Sequence, residues 1–189
     1  MDKNDSTSTA EIKRRLLAYV LDWAIGGIIT GFPAVLLYGI VTKRSDMFSD
    51  LYVFESLGYN SAYGFFAGFL CLLMAIIYYI VVPFKVYPGQ TIGKKIAKVQ
   101  IRTWTDNDPG LKCLLLRYGV IFMFETPLFI ISSYLMQMLT LATRFYIESV
   151  WSYVGLAASI ISVIMVIYSK KHDALHDLIA KTKVIDISE

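Results

Sequence analysis

AYGFFAGFLCLLMAIIYYIVVPF, residues 62–84, carries no charged side chain. A helix needs about 20 mostly apolar residues to cross a bilayer core, because each residue advances the axis by only about 1.5 Å. This stretch meets that length, and its neighbours repeat the pattern. Residues 16–41 form a second apolar run interrupted only by Asp22. Residues 111–141 form a longer one that carries Arg117 and Glu125, and residues 150–168 form a fourth. The composition agrees: 56% of the 189 residues are hydrophobic and 17% are charged, against roughly 25% charged in an ordinary soluble domain. The fold class expected is an all-α membrane protein, a four-helix transmembrane bundle forming a single domain over residues 1–189. The N-terminal polar arm leads into an apolar run longer than the core of a signal peptide, so a first spanning helix is expected there, not a cleaved leader.

Lys and Arg set the expected direction. Four lie in the N-terminal arm, six between Lys85 and Lys112, and four in the tail, fourteen in all. The two remaining loops hold Lys43, Arg44 and Arg144. Basic residues are retained on the cytoplasmic side, so both termini and the middle loop, residues 85–110, are placed in the cytoplasm together with the tail, residues 169–189. Short basic clusters flanking apolar runs are not a nucleic-acid-binding stripe, and no nucleic-acid partner is expected.

Within the runs, Gly27 with Gly31 and Gly64 with Gly68 have the small-xxx-small spacing that lets helices approach closely. Pro127 removes a backbone donor and predicts a kink or break in the third run. In the middle loop, Tyr87-Pro88-Gly89-Gln90 is a turn signal, Thr91 to Ala97 has helical spacing, and Val99 to Trp104 alternates as a strand does. A short structured cytoplasmic loop against the inner membrane face is expected, its lysines meeting membrane lipid and Trp104 at the interface.

A charge in hydrocarbon costs about 2.5–3.5 kcal/mol on insertion scales, so Asp22, Arg117 and Glu125 each call for a partner. Arg15 and Asp22 share a helix face about 10 Å apart, and Arg15 is expected to reach the inner headgroups. Arg117 lies at a depth comparable to Asp22, so an Asp22–Arg117 pair is expected. Glu125, two turns deeper and beside Pro127, would be unpaired unless protonated or facing water or a cation. Such groups either clamp the bundle or line a polar cavity for a proton, a cation or another small polar ligand. Cys71 and Cys113 read as structural thiols. His172 and His176 have the i, i+4 spacing of metal ligands, but no third strong ligand is placed by sequence, so caps and salt bridges are expected there. No metal, no cofactor and no catalytic constellation is expected, hence no enzyme.

Three stretches together resemble the RDD family of bacterial membrane proteins, named for one arginine and two aspartates. Arg15 to Asp22 is similar to the family's opening. Gly89-Gln90-Thr91-Ile92-Gly93-Lys94-Lys95 is similar to its GQTxGK motif, and Arg117 to the arginine that follows. His176-Asp177-Leu178-Ile179-Ala180-Lys181-Thr182-Lys183-Val184 is similar to the closing HDLxAGTxV motif, with Asp177 as the second aspartate. Lys181 stands where the family has glycine, which predicts a differently shaped final turn. The resemblance implies a multi-pass protein of the inner (cytoplasmic) membrane and a transporter exchanging a monovalent cation such as Na+ for H+. The alternatives are a non-transporting adaptor, assembly or immunity-type partner of another membrane protein, and a lipid-binding protein. Four helices make a thin pathway, which allows for a homo-oligomer.

Overall fold

The computed structural model describes residues 10–124, 130–168 and 173–187. Among these residues, three helices are long and apolar enough to cross a membrane. The first, α1 (Ile12–Thr42), has 31 residues, about 46 Å at 1.5 Å each. A short turn, α2 (Val53–Ser56), precedes α3 (Ala62–Ile76), which continues without a break as a wider π-helical segment to Val86. Pro83 sits in that segment, where its missing N–H removes a ladder bond and favours local rewinding. The third is α7 (Ile147–Tyr168).

The long third run is divided between α5 (Leu111–Phe124) and α6 (Ile130–Thr143), each of 14 residues. At about 21 Å neither spans a core of about 30 Å alone. Glu125 and Pro127 lie outside the described residues. The two pieces serve different ends of the molecule. On α5, Leu114, Tyr118 and Ile121 pack with Tyr78 and Tyr79. On α6, Tyr134 and Leu141 pack with Tyr38, Phe54 and Cys71. The Gly64–Gly68 pair behaves as its spacing predicts: a Cβ on Gly68 would lie 2.6 Å from Met138 Sδ, and one on Gly64 2.7 Å from the Leu51 carbonyl oxygen. On α1 the Tyr79 ring lies across Gly26, where there is no room for a Cβ.

One end of the molecule is closed by a small lid. It comprises α4 (Ile92–Ile96), β1 (Val99–Thr103), α8 (Leu175–Ala180) and β2 (Thr182–Asp186). The strands pair antiparallel, with Val99 opposite Asp186, Ile101 opposite Val184 and Thr103 opposite Thr182. Two strands alone are marginal in water. Here Val99 and Val184 are sealed by Ala10, Ala18 and Ala97, and the Ala10 N–H donates to the Val184 carbonyl at 3.0 Å. The start of α1, the middle loop and the tail therefore meet at one end. At the other end, Leu51 N–H donates to Gln137 Oε1 at 2.9 Å and Arg144 pairs with Glu55 at 2.8 Å.

The helix read over Thr91 to Ala97 and the strand beginning at Val99 both form. The partner strand in the tail was not anticipated. Trp104 is half-exposed and its Nε1–H donates to the Thr182 carbonyl at 3.0 Å, across the end of that pairing. Lys181 ends α8 in the left-handed conformation, at φ 54°, that glycine adopts most readily. Both cysteines are free thiols; Cys71 is buried, and half-buried Cys113 donates to the Ala180 carbonyl.

Candidate functional site

Asp22 is 2% exposed and its carboxylate is saturated with donors. Oδ1 accepts from the Tyr78 hydroxyl at 2.9 Å and the Gly93 N–H at 3.0 Å. Oδ2 accepts from the Thr91 hydroxyl at 2.6 Å and from Lys94 Nζ at 2.7 Å. The Tyr79 hydroxyl adds a 2.9 Å bond to the Asp22 carbonyl. Thr91 is the N-cap of α4, so the carboxylate also sits at the end of that helix where backbone donors are unsatisfied. The approach depends on Gly93: a Cβ there would lie 2.5 Å from Asp22 Oδ1 and 2.7 Å from its backbone nitrogen. Gly89 supports the loop with φ 70°, and its carbonyl accepts from Ile101 N–H at 2.8 Å. Gln90 Nε2 donates to the Val99 carbonyl at 3.0 Å. The whole Gly89–Lys94 motif thus serves to bring α4 onto Asp22.

Asp177 makes a second cluster. It is fully buried and accepts from Arg15 Nη2 at 2.9 Å and from Arg117 Nη1. The Ala174 N–H donates to Oδ2 at 3.1 Å, and the Thr182 hydroxyl donates to Oδ1 at 3.2 Å while accepting from Arg117 at 2.7 Å. His176 Nε2 lies 3.7 Å from Oδ2.

The expected Asp22–Arg117 pair is therefore corrected. Arg117 belongs to Asp177, and the counter-ion of Asp22 is Lys94. Comparing the depth of two spans left out the lid, which folds back and supplies a charge of its own to each. Arg15 likewise turns inward to Asp177 instead of to headgroups. Glu125 and His172 lie outside the described residues. Among those described, no group of three or more His, Cys, Asp or Glu is placed to hold a metal ion. Tyr78, Tyr79 and Thr182 were not among the expected site residues. The adjacent tyrosines carried a signal, since a hydroxyl in an apolar run requires a partner.

The chemistry of the two clusters differs. Burial disfavours the Lys94 ammonium, but the adjacent Asp22 charge outweighs it and holds the Lys94 pKa above its ordinary value. Burial likewise raises the Asp177 pKa, yet the charges of Arg117, His176 and Arg15 bring it well below the usual carboxylate range.

Both clusters border a cavity of about 490 Å³ between α1, α5 and α7, closed below by the lid. Arg15, Asp22, Lys94 and Arg117 reach its wall, and most of the remaining lining is aliphatic or aromatic.

A sequence model of the RDD family matches residues 9–181. The chain belongs to the RDD family. No curated protein and no solved structure matches it. Its three apolar helices make this RDD protein a membrane protein. All three of the RDD-like stretches converge on the two clusters: the opening supplies Arg15 and Asp22, the middle motif Thr91, Gly93 and Lys94, and the closing motif Asp177 and Thr182.

Proposed function

We propose that this RDD protein is a multi-pass transporter of the cytoplasmic membrane that exchanges a monovalent cation for a proton at the Asp22–Lys94 couple. In this reading the chain crosses four times, the third crossing made in two pieces by α5 and α6, and the lid faces the cytoplasm. The basic asymmetry supports that direction, and an even number of crossings agrees with N-terminal arm, middle loop and tail meeting at one end. The observation that carries the proposal is the ion pair of 2.7 Å at the wall of the cavity.

Arginine does not deprotonate at physiological pH, whereas buried lysine does when its counter-charge is withdrawn. A cation that binds Asp22 cancels the charge holding the Lys94 proton. Lys94 then moves away as a neutral amine, and its proton leaves to water in the cavity. One cation enters for each proton released, so charge balances. The Thr91 and Tyr78 hydroxyl oxygens lie beside Asp22 to complete a cation's oxygen shell. The Arg15–Asp177–Arg117 cluster holds the lid in place during the cycle.

The test is cation-driven proton movement in proteoliposomes, with a pH-sensitive dye inside. Wild type should dissipate an imposed pH gradient on addition of Na+ or K+. Lys94→Arg keeps the positive charge but not the releasable proton, and should abolish exchange while the protein remains monodisperse. Full exchange by Lys94→Arg, or no cation-dependent flux in correctly inserted wild type at any pH, overturns the proposal.

A further inference from the structure

The Tyr118 hydroxyl is sealed from solvent, and among the described residues it has no hydrogen-bond partner. Tyr118 as a whole is 2% exposed. A buried O–H without an acceptor is costly, so its presence calls for a reason. Tyr118 lines the cavity together with Asp22 and Lys94, and its hydroxyl lies within electrostatic reach of the Lys94 side chain. We propose that Tyr118 is the second docking point of Lys94, donating its phenolic hydrogen to the neutral amine once Lys94 has left Asp22. The inference rests on the exchange reading for the cause of that release, but the contact itself does not depend on transport.

The bonding capacity of lysine explains why that hydrogen bond is absent in the paired state. An ammonium carries three hydrogens and no lone pair. Lys94 directs its hydrogens at Asp22 Oδ2, 2.7 Å away, and at Thr91 Oγ1, 3.4 Å away. It has nothing with which to accept the Tyr118 hydrogen. Loss of one proton gives the nitrogen a lone pair, and the waiting O–H then acquires an acceptor. The hydroxyl that is unpaired beside the charged lysine is thus paired beside the neutral one.

The two side chains differ in freedom. The Tyr118 ring is held against Tyr79, with centroids 5.4 Å apart, and against Phe122 at 6.1 Å. Lys94 ends a flexible four-carbon stem, so the amine travels to the phenol and not the reverse. No proton passes between them. The proton that Lys94 gives up goes to water, the cation takes its place on Asp22, and Tyr118 keeps its own. The other titratable and charged groups around Lys94 are engaged. On α1 Asp22 is its counter-ion, and in the π-helical segment the Tyr78 and Tyr79 hydroxyls are both donated to Asp22. On α5 Arg117 is paired with Asp177, and on α4 Lys95 is turned to the Tyr87 ring.

Tyr118→Phe removes the hydroxyl and keeps the ring, and its Tm should equal or exceed that of wild type, since an unpaired buried group is lost. In the proteoliposome assay one cation enters for each proton released, so alkali should compensate for a weaker hold on the neutral amine. The half-saturating Na+ concentration should rise about tenfold, the weight of one hydrogen bond, and return to the wild-type value when pH is raised by about one unit. A second measurement needs no flux. Asp22→Asn withdraws the counter-charge for good, and the NMR shift of Lys94 Cε then follows the titration of that lysine in detergent. Adding Tyr118→Phe should move the midpoint upward by about one pH unit. Wild-type cation and pH dependence in Tyr118→Phe overturns the proposal. So does a loss of exchange that no rise in pH restores, or a Lys94 midpoint that stays in place. Absence of cation-driven flux in wild type, with the midpoint shift present, removes the exchange reading and leaves the contact between Tyr118 and Lys94 standing.

Discussion

The two buried carboxylates face the same problem and solve it with different chemistry. Asp22 is closed by a lysine, a threonine, a tyrosine and one backbone N–H, three of those four donors from the loop that follows the π-helical continuation of α3. Asp177 is closed by two arginines from separate helices, α1 and α5. The lysine that pairs with Asp22 can lose its proton, and the two arginines that pair with Asp177 do not. The comparison teaches that an ion pair inside an apolar bundle is not one kind of object. Lysine makes a reversible contact, and arginine a permanent one.

The largest expected effect comes from the permanent cluster. Asp177→Ala leaves Arg15 and Arg117 buried without their carboxylate, and breaking such a pair costs about 3–5 kcal/mol. Thermal unfolding in detergent should show a large drop in Tm; a wild-type Tm would dissolve the distinction between the clusters. Acid probes the same contact. Because the folded-state pKa of Asp177 lies below the ordinary 3.8, its stabilisation is complete above about pH 4 and is lost as pH falls through the lowered value. Alkali works on the other cluster: Lys94 is raised above 10.5, so its contribution is complete below that pH and fades as pH rises through the raised value. Trp104 fluorescence, with Trp23 and Trp151 replaced by Phe, should report lid loosening in strong acid. A lid that loosens between pH 5 and 8 would contradict both assignments.

A smaller effect is expected at the contact between α4 and α1. Gly93→Ala forces a methyl against Asp22 and should destabilise by about 1–3 kcal/mol, the usual range for overpacking. It should also slow exchange more than Gly119→Ala, where a Cβ would meet nothing within 4 Å; equal behaviour of the two would argue against a close fit. The smallest effect has the opposite sign. Lys181→Gly relieves a left-handed residue and should stabilise by about 1 kcal/mol, seen as a Tm rise, with no change in exchange.

Much of the framework was legible because it is written in local patterns. Apolar length marked α1, α3 and α7, and period-two alternation marked β1. The motif residues, too, were recognisable as a set. Their pairing was not, since no periodicity links Asp22 to Lys94, 72 residues apart, or Arg117 to Asp177, 60 apart. Depth along two spans was the sole available guide, and it misled because the lid enters the same layer. The strand at Thr182–Asp186 escaped for a related reason: its partner lies some 80 residues earlier, with no hairpin turn between them.

The distance between Arg15 and Asp177, 162 residues, has a consequence for biosynthesis. At about 5–20 residues per second, α1 is made roughly 8–30 s before its carboxylate partner leaves the ribosome. Through that interval Arg15 lacks Asp177, and from the moment α5 is made Arg117 lacks it as well. The closing motif is thus made after both arginines and is the piece that relieves them, so the nascent bundle can lock only once this late segment has emerged.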